Sequence, residues 1–101
     1  MKYSIVYSVH SKQDLNDLFN VIAFEYKSPI TASRYLQGLK NTIISLSKSA
    51  ESFPVQTRKS LHQYSPAPRR INYKRMAIIY NVINDTVYIR RIIPANTISG
   101  L

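Results

Sequence analysis

The chain has 101 residues, fourteen Lys and Arg against five Asp and Glu, a net charge of +9 and no cysteine. The missing cysteines exclude a disulfide framework, a zinc–thiolate site and a thiol nucleophile. An apolar fraction of 45% excludes disorder throughout, and the length reads as one domain, residues 1–101.

Tyr3, Ile5, Tyr7 and Val9 alternate with Ser4 and Ser8, so residues 2–9 read as a half-buried strand. The stretch is too short and too broken by serines for a secretory leader, and no run approaches the about 18 apolar residues of a membrane span. The chain therefore reads as cytoplasmic. A helix is expected from Ser11, with Asp14 three residues on in the manner of a capping box. Asp14 and Asp17 then favour its positive end. Leu15, Leu18, Phe19, Ile22, Ala23 and Tyr26 all fall on one helical face.

Ser28 and Pro29 suit the N-cap and first position of a second helix. Ala32, Tyr35, Leu36, Leu39, Ile43 and Leu46 form its apolar stripe. The connection is so short that the two helices must pair antiparallel. The second helix fades near Ala50 and ends by Phe53-Pro54, because proline disfavours helix in the residue before it. Residues 55–68 show no periodicity and read as a loop closed by Pro66-Ala67-Pro68. Three strands follow. Residues 69–73 form a short one. Residues 76–83 are apolar on both faces and so central. Residues 86–93 return after a turn at Asn84-Asp85, both of which tolerate positive φ. Pro94 ends the last strand, and residues 95–101 are a tail of no assigned form.

The fold class is α+β, in the order β-α-α-β-β-β. An antiparallel sheet is covered on one face by the helical hairpin, since two apolar stripes need a partner. Arg90 and Arg91 are neighbours on a strand, so one is expected on each face.

Charge is concentrated where the strands are. Residues 58–101 hold Arg58, Lys59, Arg69, Arg70, Lys74, Arg75, Arg90 and Arg91 against Asp85 alone, a net of +7; residues 1–57 carry only +2. A surface of this kind draws polyanions over about 8 Å at physiological salt. Catalytic chemistry is thinly supplied. Five carboxylates, mostly at helix ends and turns, do not suggest a general acid/base pair. His10 and His62 lack ligand spacing, so no metal is expected, and no cofactor either. Gly38 and Gly100 are too few for a phosphate cradle. What remains is a basic-aromatic set: Arg69, Arg70, Tyr73, Lys74, Arg75, Tyr80, Tyr88, Arg90 and Arg91. Arginine grips phosphate bidentately and tyrosine stacks on bases. Each residue also has a plain structural role open to it, as a charged edge, a solvated turn or a cross-strand pair. A polyanion or an acidic protein explains the set better than solubility does.

The segment 14–23, followed by Ser28-Pro29 and the stripe from Ala32 to Leu46, resembles the helical hairpin of the small RelE/ParE toxins of bacterial toxin–antitoxin modules. Residues 69–82, with Ile79-Tyr80-Asn81-Val82, look like that family's second and third strands, and residues 87–93 like its last. The similarity is one of order and spacing along nearly the whole chain. It implies a toxin of a type II, plasmid-stabilising system that arrests growth until a cognate protein antitoxin binds it as a hetero-oligomer. Two targets are open. RelE-like members cut mRNA on the ribosome, which here would make Arg69, Arg70, Lys74, Arg91 and Tyr80 the catalytic candidates. ParE-like members poison DNA gyrase without catalysis. Arg69, Arg70, Tyr73, Lys74, Arg75, Arg90 and Arg91 are the target-binding candidates in either case. Met76-Ala77 stands where RelE-like enzymes tend to carry an aromatic residue and an arginine. Pro94-Ala95-Asn96-Thr97 stands where many have a His-Gly-x-Arg-like stretch, and no C-terminal helix with a tyrosine precedes Leu101. These departures favour the gyrase side. A non-toxic basic adaptor or a degenerate toxin remains the third reading.

Overall fold

In the computed structural model, which describes residues 2–98, two helices pack as a hairpin on one face of a four-stranded sheet. The sheet is made of β1 (Ser4–Tyr7), β2 (Arg69–Tyr73), β3 (Met76–Ile83) and β4 (Thr86–Pro94) in the order β1-β4-β3-β2. β1 runs parallel to β4 and the other pairs are antiparallel. The parallel pairing follows from the long crossover between β1 and β4, whereas two-residue turns confine β2, β3 and β4 to a meander. β3 is interior, as its two-faced apolar run predicts, and Met76 to Asn81 are all buried; β4 is the other interior strand.

The first helix, α1 (Val9–Tyr26), begins earlier than its sequence suggests. Ser8, not Ser11, is the N-cap; its Oγ accepts the Ser11 N–H at 3.0 Å. Val9 therefore leaves the strand face assigned to it and is 80% exposed. Pairing with β4 ends at Tyr7–Ile89, and the Ser8 N–H closes on the Ile89 carbonyl as the chain turns. Asp14 is likewise no capping residue, because it lies beyond the first turn and its carboxylate reaches β4 instead. Leu15, Leu18, Phe19, Ile22 and Ala23 pack into the core as their spacing predicts, while Tyr26 at the helix end stays 64% exposed. Lys27 ends the helix in the left-handed region, at φ 50° and ψ 38°.

α2 (Pro29–Ser49) has Ser28 as N-cap, accepting the Thr31 N–H at 3.2 Å, with Pro29 in its first turn. Ala32, Leu36, Leu39, Ile43 and Leu46 are buried against the sheet. The helix runs into a single 3₁₀ turn, Ala50–Ser52, before Phe53 becomes extended ahead of Pro54. Gly38 permits a close approach here: a Cβ on it would lie 2.1 Å from the Tyr73 Oη and 2.7 Å from Cζ.

Residues 55–68 are more than a loop. They contain one helical turn, α3 (Lys59–His62), with Leu61 fully buried, and Val55 bridges to Arg69. Leu61 and Tyr64 form a second, smaller core with Ala77, Ile79 and Ile93, on the sheet face opposite the helical hairpin. One apolar residue in a single turn leaves no period to read, which is why the sequence shows only a loop. The β2–β3 turn is Lys74-Arg75, with Lys74 at φ 52°, and the β3–β4 turn is Asn84-Asp85, where Asn84 alone takes positive φ at 54°. Residues 95–97 form a 3₁₀ turn, and the end of the tail, 99–101, lies outside the described residues.

Candidate functional site

A β-bulge organises the basic residues of β4. Ile79 pairs with Arg91 while Tyr80 pairs with Ile89, so Arg90 is an extra residue on β4. Alternation fails at that point, and the two arginines do not divide between the faces. Arg91 sits opposite Ile79 and over the Tyr64 ring, 5.6 Å from its centroid. Arg90 lies 5.0 Å over the Tyr88 ring and donates to Asn81 Oδ1. Both start from the face away from the helices.

The bulge lies where β1 stops, and α1 seals the edge of β4 that β1 leaves bare. Ser8 Oγ donates to the Arg90 carbonyl at 2.9 Å. Asp14 Oδ2 accepts the Ile92 N–H at 2.8 Å and the Arg91 Nε at 2.8 Å, and Oδ1 accepts Arg91 Nη2 at 3.0 Å. Arg91 is therefore paired within the molecule, and its hydrogen bond to Asp14 raises its pKa further.

The other basic-aromatic residues divide into three groups. Arg69 points to the helix side, where its Nη1 donates to the Phe53 and Glu51 carbonyls and its Nη2 lies 4.0 Å from the Glu51 carboxylate. It anchors the end of α2, a natural place for a cation. Tyr80 beside it is fully buried and donates to the Ala50 carbonyl at 2.6 Å. Burial pushes its phenol up to about 12, against a smaller opposing pull from Arg69. Tyr73 stands edge-on to Tyr35, with ring centroids 5.3 Å apart. Lys74 Nζ lies 5.4 Å from the Tyr35 ring centroid and 5.5 Å from that of Tyr73, and Arg75 is next to it at the turn. Lys74 and Arg75 thus line a hollow with Leu18, Glu25 and Tyr26, at the β2–β3 turn.

Arg70 and Arg90 remain, half-buried, on the face opposite the helical hairpin, which Leu61 and Tyr64 partly cover. Arg70 donates Nε to Asn72 Oδ1 at 2.9 Å, and Arg90 donates Nε to Asn81 Oδ1 at 2.6 Å. Burial, and then the charge of nearby Arg58, lower the pKa of Arg70; an arginine still stays charged at neutral pH. None of the five acids is on a strand: Asp14, Asp17 and Glu25 lie on α1, Glu51 follows α2, and Asp85 is in a turn. On this face Asp14 pairs Arg91, while Arg70 and Arg90 have no carboxylate partner among the described residues.

Sequence reasoning missed Asn72, Asn81, Tyr64 and Asp14 as members of this constellation. Asn72 was within reach, since positions i and i+2 share a strand face. Asn81 and Asp14 meet their arginines only through the bulge and the turn into α1. Among the described residues no cluster of three His, Asp or Glu could hold a metal, and no helix is long and apolar enough to cross a membrane. His62 Nε2 lies 2.9 Å from the Gln56 carbonyl.

A hairpin of helices on a four-stranded sheet, with β1 parallel to β4 at one edge, is the RelE/ParE-like fold. No family model matches the chain, and no curated protein matches it. Among solved structures it is similar to one described as "Chromosomal ParDE TA system from P. aeruginosa", with a TM-score of 0.76 at 15% sequence identity. The match covers 92% of this chain and 96% of that one.

Proposed function

We propose that this chain is the toxin of a type II toxin–antitoxin pair, that it works in the cytoplasm, and that its target is DNA gyrase. The observation that carries the reading is the fold shared over 92% of the chain with a component of a ParDE system. The site geometry supports a non-catalytic mode. Of the five residues a ribonuclease would need, Arg69 is spent on the Glu51 and Phe53 carbonyls, Arg91 on Asp14, and Tyr80 is buried on Ala50. Lys74 is held over Tyr35 and Tyr73, leaving Arg70 alone of the five on the sheet face opposite the helices and without a carboxylate partner among the described residues. A phosphate contact without a neighbouring general base supports binding better than cleavage. The cognate antitoxin would cover a standard interface of about 1,600 Å², and the exposed apolar residues Val21 and Phe24 on α1 suit such a partner.

Induced expression should stop growth of a bacterial host, and co-expression of the adjacent gene should restore it. With purified gyrase, the protein should block supercoiling and accumulate linear plasmid. Unimpaired supercoiling together with codon-phased mRNA cuts on programmed ribosomes would replace gyrase by the ribosome. Unchanged growth would leave the adaptor reading.

A further inference from the structure

Among the described residues, four of the nine large apolar side chains left exposed fall within ten positions at the turn of the helical hairpin: Val21, Phe24, Tyr26 and Ile30. A soluble monomer rarely leaves such residues clustered in the open. The charge beside them also breaks with the rest of the molecule. The chain carries +9, yet residues 13–26 hold Asp14, Asp17 and Glu25 and no lysine or arginine. Asp14 is taken by Arg91, so Asp17 and Glu25 set the charge of the outward stripe. That stripe is Asp17, Val21, Phe24 and Glu25, all exposed and spaced i, i+4, i+7 and i+8 along α1. An apolar and acidic stripe repels nucleic acid and anionic lipid; it suits a protein surface with an apolar hollow rimmed by cations.

Such a surface lies beside the stripe on this same chain. The hollow at the β2–β3 turn has a volume of about 630 Å³ and is lined by Leu18, Ile22 and Tyr35, with Lys74 and Arg75 on the turn and Glu25 on α1. Glu25 lines it together with two cations and pairs with neither. The ion pairs among the described residues are Arg69 with Glu51 and Arg91 with Asp14. Lys74 meets only the rings of Tyr35 and Tyr73. Glu25 also borders the surface formed by Val21 and Phe24. A protruding knob and a basic-rimmed hole therefore stand side by side with one unpaired carboxylate between them. A two-fold contact needs this arrangement, since residue i of one copy meets j of the other while j meets i.

We propose that the chain pairs with a second copy of itself through α1, each copy seating Phe24 in the other's hollow and setting Glu25 against the other's Lys74 and Arg75. The contact closes on itself, so association stops at two copies. The inference goes beyond the toxin reading. Where that reading holds, the second copy and the antitoxin compete for Val21 and Phe24, and free toxin shields its own docking surface.

The test is analytical ultracentrifugation of the full chain over a concentration series at physiological salt. The parent should pass from monomer to dimer and go no further. Phe24 is 85% exposed in the single chain, so Phe24→Ser keeps the fold, with circular dichroism as the check. The variant removes the knob from both copies at once. Burying one phenylalanine is worth about tenfold or more in an equilibrium constant, so the dimer should weaken by about a hundredfold. Glu25→Arg should weaken it by about tenfold or more, and Lys74→Glu with Arg75→Glu should do the same. All three changes together should restore most of the loss. Val9→Ser, at the far end of α1, removes an equally exposed apolar side chain and should change the constant by less than about threefold.

Three results would overturn the pairing: a monomer at every concentration, a dimer indifferent to Phe24→Ser, or no recovery when the charges are exchanged. Mass that keeps rising beyond two copies would overturn the two-fold arrangement. Growth arrest by a chain that stays monomeric overturns the pairing and leaves the toxin reading standing. A dimer that arrests no growth supports the pairing and removes the toxin reading.

Discussion

Gly38 offers a test in which two known effects oppose each other in sign. It sits in the middle of α2, where replacing Gly by Ala normally stabilises a helix by about 1 kcal/mol. Here the added methyl would meet the Tyr73 side chain at 2.1 Å from Oη, 2.7 Å from Cζ and 3.2 Å from Cε1. The ring must move, which disturbs its edge-on contact with Tyr35 and the Lys74 ammonium near both rings. Overpacking of this kind costs about 1–3 kcal/mol. The Gly38→Ala variant should therefore be neutral to about 2 kcal/mol less stable than the parent, the difference of those two terms. In a Tyr73→Ala background the obstacle is gone, and the same change should stabilise by about 1 kcal/mol. Urea unfolding of the four proteins of the cycle, followed by far-ultraviolet circular dichroism, gives the coupling directly. A coupling of about 1–3 kcal/mol is expected. If Gly38→Ala stabilises equally in both backgrounds, Tyr73 does not seat on Gly38 and the packing of β2 against α2 is wrong.

Asp14→Ala removes the acceptor of Arg91 Nε, Arg91 Nη2 and the Ile92 N–H, and should lower unfolding stability by about 2–4 kcal/mol; a loss below about 0.5 kcal/mol, the range of an ordinary surface change, would reject the sealed β4 edge. The raised pKa of Tyr80 means the folded state holds that proton more tightly than the unfolded state. Its contribution is full below about pH 10 and lost as pH rises towards about 12, a change on the order of 2–3 kcal/mol. Stability measured across that range should fall in the parent, and this component of the fall should vanish in Tyr80→Phe; an unchanged fall would place the phenol in contact with solvent. Lys27→Gly relieves a left-handed residue at the end of α1 and should raise stability by about 0.5–1 kcal/mol, seen as a higher thermal midpoint. A lower midpoint would mean the Lys27 side chain does more than tolerate its backbone.

Local and periodic features were legible in the chain before any coordinates. The apolar stripe of α1 as far as Ala23, the Ser28-Pro29 start of α2, the two-faced apolar run of β3 and the Asn84-Asp85 turn each depend on residues a few positions apart. Spacing of 3.6 or 2 reports which face is buried without reference to the rest of the molecule. The two long helices, the four strands and their order along the chain followed from such signals, and so did the excess of positive charge on the strand half.

The identity of each residue's partner did not follow. Asp14 reads as a cap in the sequence, yet it is 77 positions from Arg91, the residue it pairs with. Val9 obeys the strand alternation, yet Ser8 takes the cap in place of Ser11 and turns the chain three residues sooner. Arg90 and Arg91 obey the rule of opposite faces until a bulge adds one residue to β4, and nothing in either side chain announces the bulge. The physical reason is common to these cases. Hydrogen-bonding side chains satisfy whichever group the folded backbone brings near, and a bulge or a bare strand edge arises from how two distant segments meet. Composition made this chain basic; tertiary packing decided that Arg91 pairs with a carboxylate and Arg69 with carbonyls, while Arg70 and Arg90 meet only the amide oxygens of Asn72 and Asn81.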